Sequence, residues 1–309
     1  MIFRFSLWII LYSIIFYSCS EQKKTDKHLL TDSLGAVDST TMIRDTIPQI
    51  PVIRYKMIKA ISYNSLISEF DTTGADIILS LNRIDKNRIR RLDSLVVPDT
   101  IINDRNAYSP FPQHIDLLEK VKKILIISQI YQAFAAYEYG QLVKWGPTST
   151  GKKSTPTPNG LFATNWKSKK TTSTVNDEWI LKWYFNLDNF EGVSLHEYEL
   201  PGYPASHSCA RLLSEDAFWI YNWAEQWMLT ADGENIIAYG TPVIIYGEYN
   251  FKGIKPWRLL PTDPDKAIVN EEELEDEIQK HILTILTRQE DREKILIVNI
   301  DSTEIQNKN

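Results

Sequence analysis

Between Lys120 and Gly247 the apolar residues fall in short runs, each too brief for a helix and each closed by Gly, Pro or a polar turn. Residues 121–127 form one such run, 131–137 a second and 142–145 a third, with Gly140-Gln141 expected as the hairpin turn between the last two. Residues 179–185 and 240–247 add two more. Short strands with this punctuation bury their apolar faces by packing sheet on sheet or by closing on themselves. The expected fold is therefore mainly β, a sandwich or barrel. One helix interrupts it. Ser214 is expected as its N-cap, and Glu215 and Asp216 suit its positive end. Ala217, Trp219, Ile220, Trp223, Ala224 and Trp227 supply its apolar side.

The flanks read differently. Leu66, Ile67 and Phe70, then Ile77, Ile78, Leu79 and Leu81, suggest short helices separated by the turn chemistry of Asp71-Thr72-Thr73-Gly74. The stretch ends in Leu95-Val96-Val97-Pro98, an apolar strand stopped by proline. Two helices, the pair Asn82-Arg83 and that closing strand resemble a LysM-type glycan-binding module, without a clear opening strand. A helical adaptor is the other reading. At the far end, residues 270–294 read as a charged amphipathic helix with Leu274, Ile278, Ile282, Ile285 and Leu286 on its face.

The N-terminus carries an address. Arg4 precedes an apolar and aromatic run over 5–17, then Ser18-Cys19-Ser20 and a polar stretch. A charged start, a short apolar core and a small-residue cleavage site make a signal peptide, too short to span a bilayer comfortably. Cysteine after Ser18 resembles a bacterial lipobox, which implies lipidation at Cys19; a plain signal peptide is the alternative. Residues 20–50 are polar and unpatterned, as a tether would be. The chain then divides into a signal peptide (1–18), a lipidated cysteine with tether (19–50), a small N-terminal region (51–118), a catalytic domain (119–250) and a C-terminal helical extension (251–309). The expected location is the bacterial envelope, membrane-anchored with the folded body in the periplasm. A net charge of -6 and scattered basic residues, with only the short run 167–170, give no face for nucleic acid.

Cys19 and Cys209 are the two cysteines. If Cys19 is lipidated, Cys209 has no intramolecular partner, and a lone thiol in an exported chain asks for a role. Two histidines flank it, in His196-Glu197-Tyr198-Glu199-Leu200-Pro201-Gly202-Tyr203-Pro204-Ala205-Ser206-His207-Ser208-Cys209-Ala210-Arg211-Leu212. A thiol attacks as thiolate, and a histidine within reach can take its proton and hold an ion pair with the sulfur. His207, two residues away, would share a strand face with Cys209. His196 would have to fold back across the Pro-Gly loop. Two His and one Cys could also hold zinc, with Glu197 or Glu199 as the fourth ligand. An inert thiol beside surface histidines is the third reading.

The segment resembles the catalytic motif of YkuD-type L,D-transpeptidases: an upstream His, a loop with Gly, then Ser/Thr-His-Gly-Cys, a hydrophobic residue and Asn or Arg. A second signature precedes it in the family's order. Ser149-Thr150-Gly151, then Thr155-Pro156-Thr157-Pro158-Asn159-Gly160-Leu161-Phe162, is similar to its Ser-Thr-Gly and Thr-Pro-x-Gly-x-Phe runs. The likeness covers roughly 120–247. It implies a YkuD-like β-sandwich or barrel with one inserted helix, between the small, mostly helical N-terminal region and the C-terminal helix. It further implies a cysteine acyltransferase on peptidoglycan stem peptides that needs no cofactor and no metal. By the resemblance, Cys209 is the nucleophile, His196 the base and the Glu197 carbonyl its orienter. His207 and amides near Ser208 and Cys209 line the oxyanion site, with Gly202, Ser206 and Arg211 in the substrate-binding set. For Arg211, a carboxylate contact and an ion pair with Glu215 or Asp216 are both open. Ser208 departs from the family's usual Gly, and a positive φ there would strain it. Water as acceptor would make an L,D-carboxypeptidase, and a wall protein as acceptor an anchoring enzyme. Without turnover the chain would be a peptidoglycan-binding lipoprotein.

Overall fold

The computed structural model describes residues 53–173 and 178–306. The signal peptide, Cys19 and the tether lie outside the described residues. The strands are β1 (Tyr55–Lys59), β2 (Ser94–Pro98), β3 (Ile124–Ser128), β4 (Ala133–Glu138), β5 (Gln141–Ser149), β6 (Gly160–Ala163) and β7 (Lys167–Thr172). They continue as β8 (Ile180–Asp188), β9 (Val193–Glu197), β10 (Ala210–Leu212), β11 (Met228–Leu229), β12 (Ile236–Ala238) and β13 (Pro242–Tyr246). The helices are α1 (Tyr63–Leu81), α2 (Ser214–Trp223), α3 (Glu271–Gln279) and α4 (Ile282–Gln306).

The fold is mainly β. One mixed sheet of nine strands runs in the order β6-β13-β3-β4-β5-β10-β9-β8-β7. Its centre is buried on both faces, which is why 124–127 is continuously apolar rather than alternating. Ile124 and Ile126 of β3, with Ala133, Ala135 and Tyr137 of β4, enter one core, which α3, α4 and the segment before β3 cover. Their neighbours Leu125, Ile127, Phe134 and Ala136 enter a second core. There they meet Phe185 and Leu187 of β8, Val193 and Leu195 of β9, and Ala217 and Ile220 of α2. The sheet curls because its β8–β10 part must cover the apolar face of its β3–β13 part.

Several expectations shift. The β4–β5 turn is Tyr139-Gly140, one residue earlier than expected, because those two residues take the positive φ values (48° and 78°) that a two-residue hairpin loop requires. Ser214 does not cap α2. Leu213 occupies the cap position, and the Ser214 hydroxyl donates instead to Glu197 Oε2 at 3.0 Å. The expected helix over 270–294 is two, broken between α3 and α4, with Leu274, Ile278, Ile282 and Ile285 buried across the break.

The N-terminal region has the opening strand that its sequence did not declare. β1 pairs antiparallel with β2, Tyr55 opposite Pro98. Between them α1 breaks at Asp71 (φ 59°), whose Oδ1 accepts from the Gly74 amide at 2.8 Å and so restarts the helix. Leu66, Ile78, Leu95 and Val97 make a core of its own. Ile77, Leu81 and Val96 instead join the core of the main sheet.

Arg83 fastens this region to the rest. Its side chain is 2% exposed, and no described carboxylate pairs with it. Its guanidinium lies 5.2 Å from the Trp145 ring of β5 and 5.3 Å from that of Trp257, past the last strand. Nε donates to the Tyr131 carbonyl at 3.0 Å and Nη1 to Ser80 at 2.7 Å. Burial, with Arg105 nearby, pulls its pKa down to about 9. Three stretches of sequence thus share one desolvated cation. Trp257→Ala is expected to cost about 3–5 kcal/mol and to lower the urea midpoint of the whole body in a single transition. If a catalytic-sheet probe kept its wild-type midpoint, the stretches would be independent.

Candidate active site

The site is built on a parallel strand pair. β9 and β10 run side by side with Ala210 opposite Leu195 and Arg211 opposite His196. Strand side chains alternate, so Ser194, His196 and Tyr198 form one row on β9 and its exit, beside a second row of Cys209 and Arg211. The Ser194 hydroxyl donates to Cys209 Sγ at 3.0 Å, and Sγ lies 3.3 Å from the Gly192 carbonyl. Arg211 sits 4.5 Å over the Tyr198 ring. A small pocket collects Trp179, His196, Tyr198, Ser206, His207, Cys209 and Arg211.

His196 is 5% exposed, stacked on Tyr184 at 6.4 Å and edge-on to Tyr198 at 6.1 Å. Its Nδ1 donates to the Glu197 carbonyl at 3.0 Å, which leaves Nε2 as the acceptor of the neutral ring. Burial drives its pKa down to about 4, with Arg211 pushing the same way against the Glu197 bond. Burial also pushes the Cys209 thiol up, although Ser194 and Arg211 oppose this. The expected thiolate–imidazolium ion pair is therefore not the resting state, because both charged forms lose too much hydration. The pair rests as neutral thiol and neutral imidazole.

His207 does not share a strand face with Cys209. β10 begins only at Ala210, and Ser208 at φ 79° turns the chain between the two side chains. The His207 ring instead meets Lys152 Nζ at 2.8 Å and lies 5.9 Å from Trp179. The zinc reading loses its fourth ligand. The Glu199 carboxylate pairs with Arg88, and that of Glu197 with Lys182 and Ser214. Arg211 forms no ion pair with Glu215 or Asp216, because those two bind Arg105, and Asp216 also binds Lys144.

The upstream signature braces the loop that ends in Cys209. Buried Gln132 holds Thr150 through both ends of its amide, at 3.0 and 2.8 Å. The Thr150 carbonyl accepts from the amides of Ala205 and Ser206, and the Lys152 amide donates to Ser206. The Thr157 hydroxyl donates to the Ser208 carbonyl at 2.8 Å, and that of Ser206 to the Cys209 carbonyl. Gly151 is required here: a Cβ would lie 2.3 Å from the Thr155 carbonyl oxygen. Gly202 does not line the pocket. It turns the loop at φ 78° against Ile84, at the opposite end from the thiol.

Sequence reasoning missed Ser194, Lys152 and the bracing Thr157. The two-residue period back from His196 would have found Ser194, and Lys152 directly follows Ser-Thr-Gly. Serine at 208 pays the strain of its left-handed backbone, offset by hydroxyl contacts to the carbonyls of His207 (2.6 Å) and Glu191 (3.3 Å). Ser208→Gly is expected to raise stability by on the order of 1 kcal/mol, read as a higher urea midpoint. A lower midpoint would mean that the hydroxyl contacts outweigh the strain.

Residues 122–245 match the family model of the YkuD L,D-transpeptidase catalytic domain. No curated protein matches the chain. Among solved structures, an L,D-transpeptidase from Stackebrandtia nassauensis is 22% identical, with a TM-score of 0.34 over 41% of this chain and 57% of that one. One from Mycobacterium smegmatis is 20% identical, with a TM-score of 0.33 over 41% and 59%. The catalytic domain of the E. faecium enzyme is 20% identical, with a TM-score of 0.32 over 40% and 96%. The chain thus spans less than two thirds of the first two. The matched stretch, less than half of the chain, carries His196 and Cys209, and there the chain is similar to the YkuD family of L,D-transpeptidase catalytic domains.

Proposed function

We propose that the protein is a peptidoglycan L,D-transpeptidase with Cys209 as its acylating nucleophile. The observation that carries this reading is the one pocket that Cys209 and His196 share at the parallel β9–β10 pair, with the Nδ1 proton of His196 committed to Glu197. As the thiol attacks the carbonyl of a stem peptide, Nε2 of His196 takes its proton. The tetrahedral centre collapses, the amide C–N bond breaks, and the leaving amine takes that proton back. The product is a thioester on Cys209. An amine from a neighbouring stem then attacks the thioester, gives a proton to His196 and forms the new amide, and the sulfur leaves and is reprotonated. Because both partners rest neutral, proton transfer accompanies attack rather than preceding it. His207 and the amides of Ser208 and Cys209 would serve the oxyanion.

The same thioester yields a carboxypeptidase if water resolves it. The order strand, two helices, strand in the N-terminal region supports a glycan-gripping role for residues 55–98, as in a LysM module. We further propose that Cys19 is lipidated and holds the chain at the envelope. Loss of membrane partitioning in Cys19→Ala tests this, and unchanged partitioning would contradict it.

The functional test incubates the protein with a tetrapeptide stem and reads intact mass. A thioester adduct on Cys209 with release of the terminal residue is expected, and none in Cys209→Ala, which keeps its fold because alanine matches the small buried thiol. His196→Ala should lose about 100-fold or more in rate, and His207→Ala less. Turnover by Cys209→Ala at the wild-type rate would refute the reading.

A further inference from the structure

Where the N-terminal region meets the segment after β13, the chain encloses a hollow of about 260 Å³ that shares no lining residue with the thiol pocket. Its walls are fixed by burial on both sides. Ile89 and Leu95, which bracket Arg91–Ser94 in sequence, sit in the core of the N-terminal region. Opposite them Trp257 is 1% exposed, with Lys255 and Arg258 on either side of it in sequence. Arg258 ties the two walls together, donating from Nη1 to the Ser94 carbonyl and from Nη2 to the Ser94 hydroxyl, both at 2.6 Å. Three of the lining side chains are cations, Arg91, Lys255 and Arg258, and one is an acid, Asp93. Asp93 stands near enough to Arg258 to favour its charge. Among the described residues no carboxylate pairs with Arg91 or Lys255, and the neighbouring ion pairs go elsewhere, Arg88 with Glu199 and Lys266 with Asp263. Lys255 is held in place without an acid, its Nζ 5.5 Å from the Tyr203 ring and 5.9 Å from that of Trp257. Burial, and then Arg258, lowers its pKa, as for an ammonium that has lost water and gained no anion.

We propose that this hollow is a binding site for an oxyanion, a phosphate or a carboxylate, taken by Lys255 and Arg91 with Arg258 adding charge. An anion there accepts from the Lys255 ammonium and from the Arg91 fork, and it replaces the hydration that Lys255 has lost. Arg258 already spends a donor of each Nη on Ser94, so its share is mainly electrostatic. With Asp93 ionised the hollow still has two positive charges in excess, which match a small acid and not a neutral sugar. One water takes up about 30 Å³ of liquid, so the space admits the group that bears the acid as well as the acid. Arg91–Ser94 belongs to the region proposed above to grip glycan, and an acidic polymer seated here leaves the thiol pocket open. The inference does not depend on acyl transfer.

The test is calorimetric titration of the full chain, at low and at high NaCl, with inorganic phosphate, glucose 6-phosphate, glucuronate and uncharged glucose. At least one of the three acids is expected to bind saturably and more weakly at high salt, and glucose is not. Lys255→Gln should weaken that binding about 10-fold, Lys255→Arg should keep most of it, and Arg91→Gln should weaken it severalfold. Arg91 is exposed, so its substitution reads charge with the fold intact, and the urea midpoint of Lys255→Gln checks the same for the buried partner. Tightest binding of inorganic phosphate marks a site for the free ion. Tightest binding of a sugar acid marks one for an acid borne on a glycan, and the better of the two names the acid. No saturable binding of any of the three acids would overturn the inference. So would glucose binding as tightly as they do, or an affinity unchanged in both Lys255→Gln and Arg91→Gln.

Discussion

The site depends on one register, the parallel pairing of β9 with β10 that sets Ala210 beside Leu195. Two parallel neighbours cannot be joined by a tight turn, so the chain must leave β9 at Glu197 and travel over 198–209 before it returns. A slip of one residue would turn Cys209 away from His196. The long return is therefore the vulnerable part, and much of the surrounding structure fixes it. Thr150, Lys152 and Thr157 hold its Cys209 end. The N-terminal region holds its other end. Leu200 exchanges backbone and side-chain bonds with Asp85, Pro201 bridges to Ile84, and Glu199 pairs with Arg88. The region before the catalytic sheet is thus part of the scaffold of the site, and Arg83 between two tryptophans anchors it there.

Burial sets the chemistry. Tyr184 and Tyr198 pack against the His196 ring, and burial also raises the Cys209 thiol. An exposed Cys–His pair could rest as two charges. Here the loss of hydration outweighs the help that Ser194 and Arg211 give the thiolate, and Arg211 itself disfavours an imidazolium, so both groups favour their neutral forms. The Glu197 carbonyl then determines which imidazole nitrogen is free. A buried neutral base and an uncharged thiol also protect the sulfur, since the thiolate is the form that oxidises.

Much of this was legible in the sequence, for identifiable reasons. β3, β13 and α2 declare themselves because they are strongly apolar or regularly spaced. The positive φ at Ser208 was foreseeable from the glycine that the family usually places there. The strands β6, β7, β9 and β10 were not visible. β7 is Lys- and Thr-rich and lies at the sheet's edge, β10 has three residues, and β9 hides its period behind Ser194 and His196. Long-range partners were hidden as well. Nothing local tells that Asp216 belongs to Arg105 rather than to Arg211, or that His207 turns to Lys152. Those pairings follow from how the sheet curls.

The resting state of the thiol is the most direct point of test. The rate of Cys209 alkylation by iodoacetamide, followed from acidic to alkaline pH, reports its thiolate fraction. A neutral pair predicts slow alkylation at neutral pH and a rise only above about 8.5, the ordinary thiol value. A fast plateau reached well below neutral pH would show a thiolate held by an imidazolium and would contradict the account.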